Sequence, residues 1–209
     1  MKGLPLEKGI IYETIVSTFD EKGKPNAAPM GISIDSNGDL ILRAFFQTDT
    51  YQNMHQSKIC VINFTCNPEL FVICALFQDE LPEESFKKIT KISAPVLKEC
   101  INRYIIAEVK NEKIELERAI FECKIVQFQI KEDFYPPYTR AFSSLLEILI
   151  HTTRVLHFSK TKGSTSPEVI RLMELIKYHA NVIERVSFDN LIYNQLVDKI
   201  LEKISSEIE

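Results

Sequence analysis

The hydrophobic pattern changes character along the chain, from strand-like in the first half to helical in the last third. Residues 10–18 (Ile10-Ile11-Tyr12-Glu13-Thr14-Ile15-Val16-Ser17-Thr18) are dense in β-branched and aromatic side chains, which suit a pleated surface. Gly23 and Pro25 then supply turn residues between Asp20 and Asn26. A second strand is predicted over 27–35. Asn37-Gly38, between Ser36 and Asp39, is the strongest short hairpin signal in the chain. A third strand over 40–45 completes an antiparallel meander.

Thr48 or Asp49 can cap a short helix running to Ser57, and a further, buried strand is predicted over 59–65. Asn67-Pro68-Glu69 places a cap, a first-turn proline and an acid in helical order. Residues 81–95 read as a polar, lysine-rich loop. Two long strands are predicted over 101–110 and 115–130, turning at Asn111-Glu112-Lys113. Roughly five to seven strands at this spacing imply a closed or partly closed barrel.

At Tyr138 the period becomes helical. Ala141, Leu145, Leu149 and Thr152 share one face, with Leu146, Ile150 and Thr153 beside it. Residues 159–166 read as a small-polar linker. Val169, Leu172, Met173, Ile176, Ala180 and Ile183 then form one stripe, and Leu196, Ile200, Ile204 and Ile208 another. The expectation is an αα-hairpin across Val186-Ser187-Phe188-Asp189, with Asp189 as an N-cap. The fold class is mainly β (α+β), with a barrel over 1–160 and a helical subdomain over 161–209.

Composition narrows the function classes. The 209 residues are 45% hydrophobic and 26% charged, which excludes a disordered or fibrous chain. A net charge of −4 argues against a general nucleic-acid binder. The longest apolar run, Leu70 to Phe77, is too short for a membrane span, and the first residues lack the apolar core of a secretory signal. A cytoplasmic protein with neither a membrane nor a nucleic-acid partner is expected. Five cysteines without a C-x-x-C pair read as buried free thiols. Only six glycines are present, and no glycine-loop nucleotide motif or nucleophile elbow occurs. The four histidines show no zinc spacing, so no metal site is expected.

Two segments carry a family likeness. Asn26-Ala27-Ala28-Pro29 and Asp49-Thr50-Tyr51-Gln52-Asn53, followed by Cys60-Val61-Ile62-Asn63, resemble flavin reductase-like proteins with the FMN-binding split barrel of the pyridoxamine phosphate oxidase group. A closer resemblance is to an archaeal family defined by a domain of unknown function, similar to FMN-binding split barrels. It rests on Gly9-Ile10-Ile11-Tyr12-Glu13-Thr14, Ala28-Pro29-Met30-Gly31, Asn67-Pro68-Glu69-Leu70-Phe71, Arg140-Ala141 with Glu147, and Ile150-His151-Thr152-Thr153-Arg154. The chain departs from that family at Gln47 and Asp49, where basic residues are usual.

The resemblance implies FMN as cofactor. Thr48, Thr50, Asn53 and the helix start would meet the phosphate, with Arg43 as the guanidinium, and Gln47 would be a further cofactor-binding residue. Backbone groups near Thr14, Val16, Ala28, Pro29 and Met30 would meet the ring. It also implies a homodimer that shares the flavin, with Arg154 arriving from the partner, and NADH or NADPH as reductant. The reaction class would be that of a flavin reductase, with no catalytic side chain identified. The alternative is a non-enzymatic flavin carrier, sensor or dimeric scaffold. A further reading makes the C-terminal helices a partner-binding module.

Plainer readings stand beside each residue. Arg43 can be a solvated charge, Thr48 and Asp49 ordinary caps, and Asn26 and Pro29 ordinary turn residues. His151 can be a packed, hydrogen-bonded histidine, and Glu147 can pair with Arg140 or Arg154. Glu13, in an apolar strand, would need a partner if buried.

Overall fold

The alternation over the first 45 residues folds into a three-strand antiparallel meander: β1 (Tyr12–Phe19), β2 (Pro25–Ile34) and β3 (Leu40–Phe45). The computed structural model describes residues 4, 6–89, 92–131 and 137–208. After the meander come helix α1 (Asp49–Ser57), β4 (Ile59–Asn63) and helix α2 (Pro68–Leu76). A small hairpin, β5 (Phe86–Ile89) and β6 (Ala94–Leu97), precedes the long strands β7 (Arg103–Glu115) and β8 (Arg118–Ile130). Three helices end the chain: α3 (Arg140–Lys162), α4 (Pro167–Val186) and α5 (Leu191–Ile208).

Six strands close a barrel in the order β1-β2-β3-β8-β7-β4, every pair antiparallel. Closure removes most of the edge that an open meander would leave, except along the first part of β2. Strand β1 is buried on both faces, with Ile15 and Val16 both fully buried. Residues 81–95 are not a plain loop. They hold the β5–β6 hairpin, whose strand Ala94–Leu97 is wholly buried. Pro95 hides that strand from a propensity reading, because proline is tolerated only at strand edges.

Polar groups inside the barrel are met. The Asn63 side chain donates to Ile15 O (3.0 Å) and Ser17 Oγ (2.8 Å) and accepts from Leu97 N (3.0 Å). Four thiols, Cys60, Cys74, Cys100 and Cys123, are buried, whereas Cys66 is exposed. Burial and Glu99 push Cys74 up to about 11 and Cys100 up to about 12. A hydrogen bond with Cys123, together with burial, raises Cys60. Such thiols stay protonated and pack as small apolar groups.

Two compact units divide the chain. The first comprises residues 1–7 and 12–138, the second 8–11 and 139–209. Helix α3 therefore groups with α4 and α5. The expected linker at 159–166 is shorter, since α3 continues to Lys162. The second unit is sewn together by Ile148, Val155, Val169, Ile176, Ile183, Val197 and Ile204. The buried face of α3 runs through Ala141, Ser144, Ile148, His151, Thr152 and Val155, leaving Leu146, Leu149 and Ile150 exposed. Apolar residues surround so much of α3 that periodicity alone could not fix its inward direction. Asp189 does not cap α5; Asn190 Oδ1 accepts from Ile192 N instead (3.2 Å). Asp189 pairs with Lys8 (2.9 Å), and its backbone packs on Gly9, whose φ of 75° suits glycine.

Candidate functional site

Between β1 and β3, strand β2 is paired unevenly. Its partner β1 covers residues 25–32, but β3 pairs only with residues 32–34. From Asn26 to Gly31 one edge of β2 therefore has no strand partner, and every second residue points its amide and carbonyl outward there. Helix α1 begins nearby in sequence and completes the site. Thr48 caps it by accepting from Tyr51 N (3.2 Å), while its hydroxyl donates to Phe45 O (2.8 Å). The amides of Asp49 and Thr50 lie ahead of the helix's own ladder, where the positive end of the helix dipole is felt.

Ala28, Pro29, Gln47, Thr48 and Thr50 line one cavity of about 430 Å³, together with Asn26, Asp49 and residues Cys74, Ala75 and Gln78 near the end of α2. That volume falls within the usual range for small-ligand sites. Thr50 is 2% exposed and accepts from Asn26 Nδ2 (3.1 Å), so its own proton remains available to a ligand oxygen. Asp49 is the lone carboxylate of the lining, which contains neither lysine nor arginine.

The remaining predicted residues are placed differently. Asn53 lines an adjoining cavity of about 600 Å³ and donates to Thr18 Oγ1 (3.0 Å). The two cavities share Asn26, Asp49 and Gln78. Met30 lies half-buried on β2 outside both linings, and Thr14 is fully buried with its hydroxyl donating to Met30 O (2.9 Å). Val16 sits in mid-sheet between Ala28 of β2 and Ile62 of β4, so its backbone is committed to the sheet. Arg43 is exposed on β3, opposite Ile120, and lines neither cavity. Arg154 is exposed on α3, in the other unit. Glu13 is only half-buried, and its amide donates to Tyr138 O (2.9 Å).

Sequence patterning did not indicate Asn26 as the partner of Thr50, nor the contribution of Ala75 and Gln78. The α2 segment is apolar on all sides, so no periodicity marks which face meets the cavity. Among the described residues, no helix is long and apolar enough to cross a membrane.

Comparison with solved structures supports the same architecture. An FMN-bound DUF447 protein from Methanosarcina mazei superposes with a TM-score of 0.56 at 24% identity, covering 95% of this chain and 97% of that one. Flavin reductase HpaC, solved with NADP+, gives 0.53 at 24% identity over 63% of this chain and 86% of that one. A flavoredoxin from Methanosarcina acetivorans gives 0.52 at 16% identity over 64% and 77% respectively. The barrel thus shares its fold with these structures. Residues 12–132, more than half of the chain, match the model of the family described as protein of unknown function (DUF447), N-terminal domain, and the chain belongs to that family.

Proposed function

We propose that this protein binds FMN in the cavity between the open β2 edge and the start of α1, and works as a flavin-dependent oxidoreductase. One observation carries the reading: Thr50, the free amides of α1 and the unpaired edge of β2 converge on one cavity. The FMN-bound relative with the same fold supports it.

The donor set fits the cofactor in kind. The Thr50 hydroxyl and the amides of Asp49 and Thr50 would hold the phosphate, and the cavity-lining residues Ala28 and Pro29 of β2 would meet the ring. FMN, when bound, supplies the hydride-accepting ring. The chain's part is to bind it, orient it and exclude water from its inner face. Asp49 works against a dianionic phosphate, so the phosphate's charge would be balanced from outside this lining. In a homodimer sharing the flavin, the partner subunit's Arg154 would supply that cation. The exposed side chains of Phe142, Leu146, Leu149 and Ile150 on α3 give a dimer an apolar surface to cover.

A non-enzymatic flavin carrier is the second reading. It is favoured by a cavity lining in which Asp49 is the sole carboxylate and no histidine or lysine stands. Anaerobic mixing of the FMN-loaded protein with NADH or NADPH separates the two. Bleaching of the flavin supports the oxidoreductase, and a flavin that stays oxidised supports the carrier. A protein that takes up no FMN at all overturns both.

A further inference from the structure

Helices α3 and α4 bring together three metal-ligating side chains that no linear spacing announces. Glu147 and His151 are one turn apart on α3, and His179 approaches from α4. One ligand atom from each lies within 4.8 Å of the others. His151 is 9% exposed, and its Nδ1 is buried without a hydrogen-bond partner. Its Nε2 stands 3.6 Å from the Glu147 carboxylate, too far for a hydrogen bond. The His179 Nδ1 lies 3.4 Å from Ser144 Oγ, itself a buried hydroxyl. The Glu147–His151 pair therefore leaves the cluster incompletely satisfied.

We propose that Glu147, His151 and His179 bind a divalent first-row transition ion of the Zn²⁺ class. Two imidazoles and one carboxylate suit such an ion, whereas calcium and magnesium call for an oxygen-rich shell. A tetrahedral ion with bonds of about 2.0 Å separates its ligand atoms by roughly 3.3 Å, so modest rotamer shifts close the cluster. The Ser144 hydroxyl would accept from His179 Nδ1–H and turn Nε2 toward the ion, the usual role of an outer partner. Three protein ligands leave a fourth position for water or a substrate oxygen. The site lies wholly within the helical unit and does not depend on flavin binding.

The test uses untagged, chelator-stripped full-length protein dialysed against buffered Zn²⁺, with bound metal counted by mass spectrometry. The expected result is one Zn²⁺ per chain and a higher melting temperature with the ion present. His179→Ala and His151→Ala should each weaken Zn²⁺ at least ten-fold. Glu147→Gln alters a half-exposed side chain, keeps both histidines and should also weaken Zn²⁺ at least ten-fold with helical content unchanged. It therefore decides the matter even if a histidine variant misfolds. Two results overturn the proposal: no stoichiometric Zn²⁺ on the wild type, or Zn²⁺ that survives Glu147→Gln and disappears in Cys66→Ser, which would assign the ion to the exposed thiol.

Discussion

The barrel and the helical unit differ in how fully their buried polar groups are paired. In the barrel, Asn63, Ser17, Thr18 and Asn53 sit at or near zero exposure and bond one another or the backbone. In the helical unit, an apolar seam does the holding. The buried side-chain atoms left without a partner among the described residues are His151 Nδ1, Thr152 Oγ1 and Ser166 Oγ, all of this unit. A saturated interior lets the barrel offer its surplus donors, such as the Thr50 hydroxyl, outward at a cavity. An unsaturated one marks where the helices have recognition capacity still unspent.

The barrel's polar network is most vulnerable at Asn63. Replacing it with alanine strands several buried donors and acceptors at once, and urea unfolding should register a loss of about 3–4 kcal/mol. A loss below about 1 kcal/mol would mean the network adds little. A matched pair sharpens the contrast. Thr18→Val removes the acceptor of Asn53 and should cost about 1–2 kcal/mol, whereas Thr152→Val removes an orphaned hydroxyl and should be neutral or stabilise by up to about 1 kcal/mol. Equal costs for the two would erase the distinction between the units.

The smallest expected effect is electrostatic. Hydrogen bonds from Lys203 and Lys160 hold the Glu207 carboxyl down at about 2, against an ordinary 4.5. Because the folded value is the lower one, its stabilisation is complete above pH 4.5 and fades as pH falls toward 2. Melting curves across that range should show a shallower acid limb for Glu207→Gln than for the wild type, with little difference at neutral pH. Parallel acid limbs would show that these exposed ion pairs do not contribute.

The meander, the long strands and the helical C-terminus were legible because each rests on local signals: β-branched runs, the Asn37-Gly38 turn and the period of Val169 to Ile183. The β5–β6 hairpin was not, because Pro95 and the lysines around it mimic a loop. Of the expected site, Ala28, Pro29, Gln47, Thr48 and Thr50 line one cavity. Arg43 alternates with the buried Leu42 and Ala44, so it is exposed on β3 and is not among the residues of that lining. The grouping of Glu147 and His151 with His179 spans two helices, so only the packing of α3 on α4 could reveal it.

The claim that the cavity at α1 holds the phosphate of FMN is tested most directly by titrating FMN and riboflavin, in parallel, into wild-type and Thr50→Val protein, following flavin fluorescence. The wild type is expected to bind FMN, and the substitution to weaken FMN by about 1.5–3 kcal/mol, roughly ten- to hundred-fold, while riboflavin changes little. Equal weakening of both ligands, or FMN binding untouched by the substitution, would contradict it.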